Sequence, residues 1–210
     1  MRLINAAIIA AALVLITSSV SLAAPETRQA GPYMVSFNMN TGMNYQIQTP
    51  NPAVYPFATI YPIVIVTDNM TGASISITKY NNLTDSTLQV SEEITALRMA
   101  IRGINTTAAE ERVIDGRNGF IISGVPIGIA SVPTGLQFYQ AQYWLDSSSC
   151  GCGPVSVGMA LVDITSTYPE AVTLGILGSI HVTESAGQMS LSTPGMAPTQ
   201  TSQAATPLNY

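Results

Sequence analysis

Charge is scarce in this chain: Asp, Glu, Lys and Arg together make up 9% of its 210 residues, against about 25% in ordinary soluble domains. The few basic residues are scattered, which excludes the basic stripe or patch needed to bind a nucleic acid. There is one histidine, His181, and there are two cysteines, Cys150 and Cys152. Three such ligands fall short of the four that a structural zinc site takes. No Gly-x-Ser-x-Gly elbow, phosphate-cradling Gly-rich loop or His-Glu-x-x-His pattern occurs. The paired carboxylates Glu92-Glu93 and Glu110-Glu111 are sequence neighbours, so they lack the spacing of a catalytic dyad and read as solvated charges. These shortages point to a non-enzymatic protein with no cofactor.

Long apolar runs are missing everywhere except at the start. Residues 4–20 are almost all Ala, Ile, Leu and Val behind Arg2, and they end at Ser21-Leu22-Ala23-Ala24. This is the layout of a secretory signal cleaved near residue 24. The alternative is an uncleaved anchor, the only contact with a membrane that the sequence allows, because no later run reaches the roughly 20 residues of a spanning helix. Polarity is carried instead by amides and hydroxyls. Three glycan acceptor patterns are present, at Asn69-Met70-Thr71, Asn82-Leu83-Thr84 and Asn105-Thr106-Thr107, all expected at turns or element ends. The expected location is outside the cell or at its surface.

Three parts follow from composition: a signal over 1–24, one α+β domain over 25–183, and a disordered Ser/Thr/Pro-rich tail over 184–210. Within the domain, residues 25–31 read as a polar lead. Tyr33, Val35 and Phe37 alternate with polar partners as a half-buried strand. Tyr45 to Gln48 reads as a short strand, and Pro50, Pro52, Pro56 and Pro62 read as punctuating a covering loop. Ile63 to Thr67 and Ala73 to Tyr80 read as a hairpin around Asp68-Asn69-Met70-Thr71-Gly72. Val90, Ile94, Leu97, Ile101 and Ile104 then recur at spacings of four and three, predicting a helix that lays this stripe on the sheet. Ser91 is its expected N-cap, an earlier start near Ser86 is the alternative, and Gly103 is its stop.

Asp115-Gly116 and Asn118-Gly119 predict a tight hairpin. A cation loop at Asp115 and Asn118 has too few oxygens for calcium. Tyr139, Ala141, Tyr143 and Leu145 share one strand face with Gln140 and Gln142 opposite. The following strand, from Val155, slips phase near Leu161 as a bulge would, leaving Asp163 turned outward. Pro169 and Glu170 open a second helix with Val172, Ile176 and Ile180 on its apolar side.

This order of elements resembles the PsbP-like fold, an α/β sandwich named after an extrinsic subunit of photosystem II. The likeness covers residues 60–182. It is carried by the hairpin and the helix through Ile94 and Leu97, by Ile114-Asp115-Gly116 with Gly119, by Tyr139-x-Ala141-x-Tyr143, by Ser166-Thr167-Tyr168-Pro169, and by Leu177-Gly178-Ser179-Ile180. The resemblance implies an antiparallel sheet of about six to eight strands flanked by two main helices. It also implies an interaction role with no active-site residue.

Between the two long strands stands Cys150-Gly151-Cys152. In an exported chain these cysteines are expected to form a local disulfide that stiffens the hairpin tip. A soft-metal site with His181 as third ligand is a second possibility. A cysteine nucleophile with His181 as base and Asp146 or Asp163 as orienter is a third. The leading expectation is therefore a secreted or surface-attached domain that binds a protein or cell-envelope component. A redox or soft-metal protein working through Cys150 and Cys152 comes second, and a cysteine-dependent hydrolase is a distant third.

Overall fold

The computed structural model describes residues 25–68, 70–127, 135–146, 148–149 and 155–185. Strand β1 (Glu26–Ala30) turns at Gly31 into β2 (Tyr33–Phe37). Gly31 has φ +58, and a Cβ there would lie 2.2 Å from the Tyr61 ring, so both backbone and space require glycine. Strands β3 (Gln46–Gln48) and β4 (Ala53–Val54) pair with β5 (Ala58–Val66), which pairs with the long β6 (Gly72–Thr87). Helix α1 (Leu88–Ile101) leads to β7 (Ile104–Ile114) and β8 (Arg117–Pro126). Then come β9 (Phe138–Trp144), β10 (Ser148–Ser149), β11 (Val155–Ser166), helix α2 (Glu170–Ser179) and β12 (His181–Glu184).

The main sheet runs β3-β5-β6-β11-β9-β8-β7, with β4 beside β5 and β10 beside β11, and all these pairs are antiparallel. A second sheet is ordered β1-β2-β12. The α+β class with an antiparallel sheet and two helices therefore holds, seven strands forming the path of the main sheet with the two-residue strands β4 and β10 beside it. Residues 26–30, read from polarity as a lead, are the edge of the second sheet, because a half-exposed edge strand needs little apolar content. The proline segment is also more regular than expected. Pro62 sits inside β5 between the stretches paired with β4 and β3, where its missing N–H breaks no ladder bond.

One face of the main sheet presents Ile63, Ile65, Ile75, Ile77, Tyr143 and Val162 to the second sheet and α2, and all are buried. Tyr33, Val35, Phe37 and Val182 answer from the second sheet, as Val172, Ile176 and Ile180 do from α2 and its C-cap. The opposite face carries a smaller cluster of Met99, Ile104, Phe120 and Ile122 beneath α1. Register slips between Gly158 and Ala160, slightly before the expected bulge at Leu161.

Helix α1 departs from expectation in two ways. It starts at Leu88 with Thr87 Oγ1 accepting the Val90 N–H at 3.1 Å, so Ser91 is not its N-cap and Glu92 and Glu93 lie beyond the first turn. It also buries Thr95 and Met99, leaving Val90, Ile94, Leu97 and Ile101 exposed. Of the predicted stripe only Ile104, at the start of β7, reaches the core. The sheet beneath α1 is met through Leu88, Ala96 and Met99, which lie on the other side of a 3.6-residue turn. The helix stops as expected, with Gly103 at φ +75.

Candidate site between strand β12 and the β9–β11 hairpin

Asp115 and Gly116 form the two-residue turn between β7 and β8 with φ of +52 and +72. Both positive values mark the type I′ hairpin that an Asp-Gly dipeptide favours. This turn carries the Asp115 side chain under the end of β12, where it is 4% exposed. Its carboxylate takes His181 Nδ1 at 2.7 Å, the Val182 N–H at 3.0 Å, the Tyr143 hydroxyl at 3.3 Å and Arg117 Nη1 at 3.0 Å. Arg117 is held in turn, its Nε donating to the Leu145 carbonyl and its Nη1 to the Asp115 carbonyl, both at 2.8 Å. Burial, then the Asp115 charge, pushes the Tyr143 phenol far up, so it stays a donor to that carboxylate.

Around this anchor lies a cavity of about 470 Å³, lined among others by Tyr33, Lys79, Arg117, Asp146, His181 and Glu184. That is within the usual range for ligand pockets. Tyr33 is 1% exposed and its hydroxyl has no hydrogen-bond partner among the described residues. Burial raises its pKa to about 12, with Glu184, Tyr61 and Asp146 adding to the shift. It therefore remains an O–H donor near two pocket carboxylates. A buried unpaired donor costs about 1–3 kcal/mol, and a ligand or water in the cavity would relieve that cost.

The opposite wall comes from the register slip. Asp146 accepts the Met159 N–H at 2.9 and 3.0 Å and the Ala160 N–H at 3.0 Å. Gly158 allows this, since a Cβ there would lie 2.7 Å from the Trp144 ring and 2.8 Å from Asp146 Oδ1. Lys79 reaches Glu184 at 3.5 Å across an exposed pair, an arrangement a ligand can open at little cost. The bond between Nδ1 and Asp115 fixes the orientation of the exposed imidazole of His181, with Nε2 on the far side of the ring.

The site unites residues that sequence reading kept apart. His181 is on an edge strand and shares the cavity with Asp146, which follows β9. The carboxylate that orients it is Asp115, in place of the expected Asp146 or Asp163. Asp163 lies on the other sheet face, where Gln140 Nε2 donates to it at 2.8 Å and Gln142 Nε2 also donates. Asp115 and Asn118 do not form a cation loop, because the Asp115 carboxylate is committed to protein donors and Asn118 is exposed on β8. Asp-Gly reveals a turn in the sequence, but nothing local reveals the partner 66 residues away.

Cys150, Cys152 and Asn69 lie outside the described residues, as do the N-terminal segment 1–24 and residues 186–210. Asn105, near the start of β7, and Asn82 are exposed, but Asn82 lies inside β6 and not at the expected turn. Among the described residues no group of three or more His, Cys, Asp and Glu side chains is placed to hold a metal. No helix among them is long and apolar enough to cross a membrane. Comparison of the chain with family models, with curated proteins and with solved structures finds no match.

Proposed function

We propose that this is a secreted or surface-attached binding module that takes an extended segment of a partner protein or envelope component along β12. The carrying observation is a cavity walled by an edge strand and lined by Tyr33, whose buried hydroxyl has no partner among the described residues. Val182 turns its N–H toward Asp115, away from β2, while Ser185 bonds back to Pro32. By the alternation of an antiparallel ladder, the N–H and C=O of Glu184 point the same way as those of Val182. An added strand would bond the N–H and C=O of Glu184 and the C=O of Val182, with Tyr33, Lys79 and Asp146 reading its side chains. The export pattern of residues 4–24 and the PsbP-like order of elements support this reading.

Selection of random peptides on the immobilised protein provides the test. Enriched peptides should lose binding to Glu184→Pro, which deletes an outward N–H tolerably on an edge strand, and should bind Tyr33→Phe about fivefold or more weakly. Failure to enrich any peptide, or equal binding by both variants, would overturn the proposal.

The 2.7 Å bond from His181 to Asp115 supports a second reading, in which the imidazole is an oriented general base. A hydrolase of this kind would lose turnover on an ester panel in His181→Ala. Unchanged turnover there dismisses it.

A further inference from the structure

The exposed stripe of α1 has a pattern of its own. Val90, Ile94, Leu97 and Ile101 are 44, 43, 61 and 78% exposed. Their spacing of four, three and four is that of a coiled-coil seam, with Ile94 and Ile101 at a and with Val90 and Leu97 at d. Isoleucine at a with leucine at d favours two parallel strands. Relative to the same heptad, Thr95 and Leu88 fall at b, Ala96 at c and Met99 at f. These residues carry the helix on its own sheet, so the seam faces away from the domain.

Charge selects the occupant. Glu93 stands at g and Arg98 at e, five residues apart on opposite sides of the seam, and both are exposed. In a parallel pair, g of one helix faces e of the other at this separation, so two copies would form two Glu93–Arg98 contacts related by a two-fold axis. An antiparallel pair burying the same four residues would instead set Arg98 beside Ser91 and Glu93 beside Ala100, so neither charge would meet its opposite. Gln89 Nε2 donates to Glu93 Oε1 at 3.0 Å, which holds the carboxylate at the seam's edge.

We propose that α1 joins two copies of this chain into a parallel, two-fold dimer through Val90, Ile94, Leu97 and Ile101. Two heptads cover less than the roughly 800 Å² per partner of a standard interface. The dimer is therefore concentration-dependent, with Kd on the order of micromolar or weaker.

Sedimentation equilibrium of the full chain from about 1 to about 500 µM tests this. Dimer formation should weaken about tenfold or more in Leu97→Glu. It should weaken severalfold in Glu93→Arg and in Arg98→Glu, and recover in the double reversal. All three positions are solvent-exposed, so circular dichroism should show each variant folded. A monomer throughout the range, or failure of the double reversal to restore association, would overturn the proposal. So would a monomer that sediments with phosphatidylglycerol vesicles in a Leu97-dependent way, which would assign the stripe to a lipid surface.

Discussion

Asp163 carries a carboxylate whose pKa is raised by burial, an effect opposed by donors from Gln142 and Gln140 and then by the charges of Arg102 and Arg98. The folded state therefore holds this proton to a higher pH than the unfolded chain, whose Asp titrates near pH 3.9. Above its raised folded value the ionised group costs stability, and the cost is relieved as pH falls toward about 4. Gln140 Oε1 is buried without a partner among the described residues, and an amide at 163 would bring N–H donors to that neighbourhood while keeping an acceptor for both glutamines. Asp163→Asn is expected to stabilise the protein by about 1 kcal/mol at pH 7, with the gain vanishing near pH 4. Urea denaturation at the two pH values checks this, and a loss of stability at pH 7 would show that the carboxylate is net favourable. Asp163, expected to turn outward, does lie on the face away from the larger core, but it is buried there against Gln140 and Gln142. Its glutamine partners depended on the register between β9 and β11, which local pattern does not encode.

At the scale of elements, periodicity located β2, β9, β11, the β5–β6 hairpin and both helices but not β1, β4 or β12, and turn chemistry located the Asp115-Gly116 hairpin. The same periodicity misled for α1, because an apolar stripe at helical spacing is equally a core face or an association face. Which side meets the sheet was decided by Met99 fitting among Ile104, Phe120 and Ile122, a choice between two amphipathic solutions that spacing alone leaves open. This orientation has a direct consequence for stability. Met99→Ala should cost about 2–4 kcal/mol by emptying a fully buried position, whereas Leu97→Ala should cost less than about 0.5 kcal/mol in dilute solution. Chemical denaturation of the two variants measures the difference directly. The reverse ranking would mean that the helix lies on the sheet by its Val90–Ile101 side.

For the molecule as a whole, the second sheet closes the core, and its last strand comes from the end of the described chain. Residues 181–184 were legible only as a boundary near 183, because four residues with one buried side chain give no periodic signal. In three dimensions they cover the edge of β2, bury Val182 at 2% exposure and supply two partners to the Asp115 carboxylate. Without them β2 keeps only β1 as a neighbour, and Tyr33, Val35 and Phe37 lose their cover on one side. Asp115 would also lose two of its donors, each buried polar group left unpaired costing about 1–3 kcal/mol. That is a large part of the stability of an ordinary domain. A chain ending after Ser185, which keeps β12, should therefore still melt cooperatively, and one ending after Ile180 should show no cooperative transition. Thermal melts followed by circular dichroism compare the two. A cooperative melt in the shorter chain would mean that the main sheet with α2 holds the fold without β12, and that the anchor at Asp115 serves the cavity alone.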